Sequence, residues 1–322
     1  MNKYFIRVLL VFLSLSIFTS CEEEVDDVIV IGNGSQDQNE EEESSEDEEE
    51  QSDEEPEDRE WDLFQPYECY TSLSNQTLDI VTWNIERFPK SNQQTINGLA
   101  ELINNSRADI IALQELQEPD FLEDVIGLTS GWAYKVYDVR GDLELGYLYK
   151  TSEIISISNL SIIYPDNSSA FYRPPVLTTV EHANGQIVTL MNIHLKCCGG
   201  TENVNRRKEA SVLLKKYVDD NMSDEKVIIL GDWNDELSET ENNPFQNFLD
   251  DTNNYYFSDL EIDEGPSTNY SYPSWPSHLD HILVTNELFD NLEFVTTLTF
   301  NQCISGYSSN ISDHRPVMLS IN

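Results

Sequence analysis

The sequence predicts a mixed α/β domain over residues 61–322, with β-sheets packed together and helices outside them. Three observations carry this. Short apolar runs recur along the segment and end in polar residues. Between two early runs, Ile96, Leu99, Ala100 and Ile103 return at helical spacing. Many strands then share about 260 residues with few helices, and such a chain buries its sheets against one another.

The elements follow in order. Leu78–Trp83 and Ile110–Leu113 read as strands on either side of that helix. Gly146–Lys150, Ile154–Ile163, Val176–Glu181 and Ile187–Leu195 are the next strands, and Asn184-Gly185 joins the last two as a hairpin. Both turn residues tolerate the positive φ that a two-residue loop requires. Glu202–Tyr217 is an amphipathic helix with Ala210, Leu213, Leu214 and Tyr217 expected inward. Val227–Leu230, Leu279–Val284, Leu292–Leu298 and Val317–Ile321 complete the strands. There is no internal repeat and no second domain boundary after Trp61.

The start of the chain reads differently. Lys3 and Arg7 precede an apolar run, Val8 to Phe18, and then Thr19-Ser20-Cys21. This is the pattern of a signal peptide, too short to span a membrane. A Cys after small residues resembles a bacterial lipobox, so residues 1–21 are expected to be a signal peptide ending at a lipidated Cys21. Ordinary cleavage is the alternative, and it would leave Cys21 an unpaired thiol. Residues 22–60 hold 21 Asp and Glu against Arg59 alone. Such a stretch cannot bury enough apolar surface to offset its ordering entropy, so it reads as an extended tether. The expected product is an exported monomer, held at the outer membrane or cell surface by its lipid.

The net charge of the chain is −42, and residues 61–322 still carry 39 acids against 15 Lys and Arg, a net of −24. Bulk charge therefore repels polyanions. A local exception is Lys196, Arg206, Arg207 and Lys208 near His194. These read either as a nucleic-acid contact or as ordinary helix charges. Cys69, Cys197, Cys198 and Cys303 are expected to be oxidised after export. A Cys197–Cys198 ring is strained, so the favoured pairings send one of the two to Cys69 and the other to Cys303. Their spacings do not match zinc sites.

Chemistry-bearing residues collect at strand ends: Asn84 and Glu86, Glu115, His194, Asp232 and Asn234, Asp280, then Asp313 and His314. Each alone has an ordinary reading as a turn residue, a helix cap or a solvated strand end. Six such ends in order do not, because α/β proteins place their sites at one edge of the sheet.

The stretches LDIVTWNIERFP, ADIIALQEL, YRPPV, MNIHLK, VIILGDWND, HLDHILV and SDHRPV span residues 78–317. Together they resemble the endonuclease/exonuclease/phosphatase superfamily, typified by pancreatic deoxyribonuclease. The resemblance implies a four-layer α/β/β/α sandwich, two mixed β-sheets flanked by helices, with the site at one sheet edge. It implies metal binding by Asn84 and Glu115, with Asp313 as a further ligand. Mg2+ is the expected ion, since it takes oxygen ligands and keeps several waters, and Ca2+ or Mn2+ could replace it. Asp232 and Asn234 match the pair that orients the attacking water and holds the phosphate. His194 and His314 match the two histidines flanking the scissile phosphate, one an acid and the other a base. Asp280 matches the carboxylate that bonds His314, and Arg173 matches a phosphate contact. The carboxylate partner of His194 is expected at Glu144 or Asp142. Glu86 is set aside as pointing to the other strand face.

Two departures bear on substrate. His278 stands where members often carry Arg, and the 138–146 segment is rich in acids. Nucleic acid is the favoured substrate. Lipid headgroups and sugar phosphates are the alternatives within enzymes, and an inactive surface-binding lipoprotein is the alternative outside them.

Overall fold

A computed structural model describes residues 63–65, 76–137 and 143–322, all within one compact unit. The signal segment, Cys21, the acidic tether, Cys69 and Asp142 lie outside the described residues.

β1 (Leu78–Phe88) runs through α1 (Gln93–Asn105) to β2 (Ile110–Leu116). After α2 (Leu122–Gly127) come β3 (Trp132–Tyr137), β4 (Glu144–Lys150), β5 (Ile154–Ile157), β6 (Ser161–Ile162), β7 (Val176–His182) and β8 (Ile187–His194). α3 (Thr201–Asn221) returns the chain to β9 (Val227–Asp232). The last third holds α4 (Gln246–Leu249), β10 (Tyr255–Phe257), α5 (Leu260–Asp263), β11 (Asp280–Thr285), β12 (Leu292–Thr297), α6 (Phe300–Cys303), α7 (Tyr307–Asn310) and β13 (Val317–Ile321).

One sheet has the order β12-β13-β1-β2-β4-β3 and the other β10-β11-β9-β8-β7-β5, with β6 beside β7. Each contains a central parallel pair, β1–β2 and β8–β9, and antiparallel neighbours. A parallel pair needs a crossover, and α1 and α3 supply the two. The inner faces meet in a core that includes Ile80, Ala112, Leu190, Leu230 and Ile282. The outer face of the first sheet packs on α1, with Ile96, Leu99 and Ile103 inward. The outer face of the second packs on α3 and α4 through Ala210, Leu214 and Phe248. The fold is thus the four-layer α/β/β/α sandwich.

Local differences from the sequence reading have physical causes. β3 is a half-buried edge strand and β10 is only three residues long, so neither has the apolar run that marks a strand. Ile154–Ile163 divides in two. Ser158 interrupts it by taking the Thr179 N–H on its Oγ, at 2.9 Å. α3 is longer than expected, and its buried stripe is Arg207, Ala210, Ser211, Leu214 and Val218, with Leu213 and Tyr217 at its margin. Two polar residues inside the stripe hid its phase.

Polar bonds cross the inter-sheet core near the C-terminal ends of β2 and β8. Gln114 Nε2 donates to Asn192 Oδ1 at 2.8 Å, and Asn192 Nδ2 donates to the carbonyls of Leu113 (3.0 Å) and Gly146 (3.1 Å). The Asn192 N–H donates to Tyr147 Oη at 3.1 Å. Both amide side chains are fully buried, where an unmade hydrogen bond is costly. Asn192→Ala would strand one amide and leave two carbonyls short of a donor. It should lower stability by about 2–4 kcal/mol, measured by urea unfolding.

Candidate active site

The strand period of two explains how the site assembles. In β1 the inward positions run Ile80, Thr82, Asn84. In β8 they run Leu190, Asn192, His194, in β9 Ile228, Leu230, Asp232, and in β11, read backwards, Val284, Ile282, Asp280. The apolar inner face therefore gives way, at one end, to chemistry on the same face. Glu115 is the exception. It has the parity of Leu113, which faces outward, but its φ is +62° and the β2–β4 register shifts there. The bulge turns its carboxylate into the site.

Asn84 Nδ2 donates to Glu115 Oε1 at 3.2 Å and to Asp232 Oδ2 at 2.9 Å. His194 Nε2 lies 3.6 Å from Asp232 Oδ2 and 3.8 Å from Glu115 Oε1. Asp232 Oδ1 accepts the Asn234 N–H at 3.0 Å, with Asn234 at φ +59°. Asn234 Nδ2 donates back to the Leu195 carbonyl at 3.2 Å. Gly231 makes this approach of β8 and β9 possible. Its φ is +152°, and a Cβ there would run into the Ile193 carbonyl.

His314 Nδ1 meets Asp280 Oδ2 at 2.7 Å. Burial alone would lower the His314 pKa, but the Asp280 carboxylate and its hydrogen bond, with Asp232 and Asp313, raise it to about 10. His314 is thus an imidazolium. His194 is the opposite case. Burial, then the charges of Arg173, His314 and Lys196, hold it well below 6.5, so its ring is neutral at pH 7. Asp232 is pushed up to about 7 by burial and then by Asp280, against the pull of His314 and Asn84. Ser312 ties this half to β1, since its Oγ donates to the Asn84 carbonyl at 2.6 Å and accepts the His314 N–H at 3.0 Å.

Other expected residues stand further out. Arg173 Nε donates to the Leu143 carbonyl at 2.9 Å, and its charge acts on His194. Asp313 lies beside Glu86, whose Oε2 accepts the Asp313 N–H at 2.8 Å and pairs with Lys90. Glu86 therefore belongs to the rim. The expectation that it faces away does not hold, because its φ is +44° and the β1–β2 register shifts after Asn84, a bulge that carries its carboxylate to Asp313. Among the described residues no carboxylate hydrogen-bonds the buried His194 Nδ1, so Glu144 does not serve it.

The basic cluster near His194 has a structural use. Arg207 is buried and donates to Asp235 Oδ2 at 2.9 Å and to the carbonyls of Lys196 (2.7 Å) and Cys198 (3.0 Å). It joins the loop after His194 to the loop after Asp232. Arg206 is bonded to the carbonyls of Ser168 and Ser169, and Lys208 alone of the three helix cations is exposed.

Sequence reasoning missed a second brace. Asp259 Oδ2 takes His278 Nε2 at 2.9 Å and His281 Nδ1 at 2.6 Å. His281 Nε2 meets the Asp235 carbonyl at 2.9 Å. A carboxylate and a carbonyl both accept, so both His281 nitrogens donate and the ring is charged. His278, the departure noted above, thus supports the loop in front of Asp280. Asp259 follows β10, which no sequence signal marked.

The cysteine pairings fail. Cys303 is disulfide-bonded, but Cys197 and Cys198 are free and exposed, with Cys198 Sγ donating to Cys197 Sγ at 2.9 Å. Cys303 belongs to α6 on the outer side of the first sheet, and the free pair sits before α3 on the outer side of the second. Both sheets intervene.

The donor set fits a hard divalent cation. Glu115 and Asp232 offer carboxylate oxygens and the Glu115 side chain is 19 % exposed, leaving room for waters, but the expected ligand Asn84 presents its Nδ2 to both carboxylates while its Oδ1 accepts the Glu86 N–H at 3.0 Å, so its oxygen does not join this set. Asp232, Asp280 and His314 also place ligand atoms within 4.8 Å of one another, but His314 is engaged by Asp280.

The sequence matches the model of the Endonuclease/Exonuclease/phosphatase family over residues 81–314, and the chain belongs to that family. Its enzymes are divalent-metal-dependent phosphoester hydrolases. No protein of curated function matches the sequence. Among solved structures, D. rerio TDP2 complexed with a single-strand DNA product is similar at 16 % identity and TM-score 0.59, covering 77 % of this chain and 100 % of that one. The Bacteroides thetaiotaomicron mannosyl-6-phosphatase is similar at 16 % and 0.55, over 76 % and 99 %. The human Nocturnin catalytic domain with bound sulfate is similar at 15 % and 0.58, over 76 % and 94 %. At these identities the likeness shows the fold.

Two predictions follow from the electrostatics. Asp280→Asn should drop the His314 pKa from about 10 towards the ordinary 6.5, read by NMR titration of the ring protons. The pKa of His281, which burial would lower, is instead raised to about 9 by Asp259. Its contribution to stability is complete below pH 6.5 and lost as pH rises through about 9. Urea unfolding across that window should show the loss, and Asp259→Asn should abolish this pH dependence.

Proposed function

We propose that this protein is a divalent-metal-dependent nuclease, hydrolysing nucleic-acid phosphodiesters. The observation that carries the phosphoester reading is the asymmetric histidine pair, with the charged His314 held by Asp280 and the neutral His194 beside Asp232. TDP2, whose similar structure holds a DNA product, supports nucleic acid as the substrate. The proposal includes export and anchoring through a lipid on Cys21, on the strength of the signal-like start.

Asp232 and the Asn234 amide orient the attacking water, and Asp232, raised to about 7, takes its proton near neutral pH. His314, an imidazolium held through Nδ1 by Asp280, stabilises the charge that develops in the transition state and gives its Nε2 proton to the leaving oxygen as the scissile P–O bond breaks. Neutral His194 donates a hydrogen bond from one ring nitrogen, and Arg173 adds positive charge on its side. Glu115, with Asp313 towards the rim, would hold the cation, and Asn84 keeps the Glu115 and Asp232 carboxylates together through its Nδ2. When bound, a divalent ion neutralises phosphate oxygens and polarises the reacting phosphorus.

A second reading, a phosphatase for a sugar phosphate, is favoured by the net charge of −24 over residues 61–322 and by the similar mannosyl-6-phosphatase. Plasmid nicking by the full chain separates the two. The nuclease reading expects nicking with Mg2+, none with chelator, weakening with salt, and a loss of about 10²–10⁴-fold in Asp232→Ala and in His314→Ala. Hydrolysis of sugar phosphates without nicking would establish the second reading instead.

A further inference from the structure

Two sulfurs stand together on the loop between β8 and α3, just after His194. Cys197 and Cys198 are both free and exposed, and Cys198 Sγ donates to Cys197 Sγ at 2.9 Å. Neighbouring side chains of an extended chain point apart. Here Cys198 has φ +77°, a left-handed conformation that an L side chain adopts only at a cost, and the two sulfurs come into contact. Strain of this kind persists only where the surroundings hold it, and it gathers at functional and switch positions. Arg207 does the holding. Its Nη1 takes the carbonyls of Lys196 (2.7 Å) and Cys198 (3.0 Å), one on each side of the peptide that joins the cysteines. That peptide can turn while the loop keeps its place.

The pair is also set for reaction. Lys196 Nζ donates to Cys197 Sγ at 3.6 Å, so this sulfur accepts from an ammonium and a thiol at once. The hydrogen bond to Cys197, and then partial desolvation, push the Cys198 thiol up, against the pull of Lys196 and Arg207. Cys198 thus keeps its proton, and Cys197 is the sulfur that attacks. Accessible cysteines beside cations are the reactive kind.

A disulfide between neighbours is strained, because their Cα atoms lie about 3.8 Å apart and disulfides usually span about 4.4–6.8 Å. Strained and exposed disulfides are the easily reduced ones. Cys303 is the contrast, already disulfide-bonded and half-buried. We infer that Cys197 and Cys198 are a redox-modification site, a dithiol that a low-molecular-weight disulfide converts reversibly to a vicinal disulfide on the loop after His194. The Cys197 thiolate attacks one sulfur of the small disulfide, whose S–S bond breaks and releases one half as thiolate. Cys198 gives up its proton and attacks Cys197 Sγ, which closes the vicinal bond and expels the second half. Two electrons pass from the cysteines to the small disulfide, and the two cysteine protons end on the two thiols released. The inference does not depend on which phosphoester is cleaved.

The test equilibrates the full chain in glutathione buffers from reducing to oxidising, traps free thiols with iodoacetamide, and weighs the peptide that holds both cysteines. In oxidising buffer that peptide should be unalkylated and lighter by two hydrogens. In reducing buffer it should return to the doubly alkylated form, with the disulfide at Cys303 closed throughout. Cys197→Ser and Cys198→Ser should each stop at a mixed disulfide with glutathione. Amide NMR signals of Leu195 to Gly200 should shift between the two wild-type forms. A wild type that stays a dithiol in oxidised glutathione, or that keeps glutathione on either sulfur, overturns the inference. So does a vicinal disulfide that opens only together with the one at Cys303.

Discussion

The bond from Gln114 to Asn192 is the constraint on which the catalytic edge depends. It joins the two sheets one position short of Glu115 on one side and two short of His194 on the other. Below it the sheets are held by apolar packing, which has no direction and tolerates small slips. At its level the separation is set by an amide pair that must meet within hydrogen-bonding distance or leave buried polar atoms unmatched. Asn84 then spans Glu115 and Asp232 from opposite sheets, a contact with meaning only if that separation is fixed.

A second set of buried bonds orders the loops above the edge. Arg207, Asp235, His281, Asp259 and His278 form a chain that ends at Ser271, whose N–H donates to His278 Nδ1 at 3.1 Å. It touches the loop after β8, the loop after β9 and the approach to β11. Apolar residues of the same volume could replace buried charges of this kind at little net cost, since desolvation offsets attraction, whereas removing one partner or its proton is costly. The effect of these charges is to leave each loop a single low-energy arrangement, which is what side chains from several strands need if they are to converge.

Much of this was legible in the sequence because the strand period is so regular. Asn84, His194, Asp232 and Asp280 continue the inward positions of their strands, so an apolar run followed at the right parity by a polar residue marks both the strand and the site. Glu86 escapes that rule, since the bulge after Asn84 breaks the alternation there. Glu115 was marked by its place at a strand end and by the resemblance rather than by parity, since the bulge that turns it inward breaks the alternation. Arg207 and Asp259 were not legible as braces. Nothing local distinguishes a buried arginine in a basic helix from an exposed one, and Asp259 follows a strand too short to notice. The cysteine pairings failed because sequence separation says nothing about which of four layers a residue occupies.

The close approach at Gly231 limits how this catalytic centre could be redesigned. With no room for any side chain where β8 meets β9, the floor of the cleft has a fixed width, and strand residues cannot be exchanged to admit a bulkier ligand. Variation must come from segments beyond the floor, such as the hairpin paired through Tyr272 and Ser277 before β11. A library aimed at new substrates belongs in those segments, over a floor left untouched.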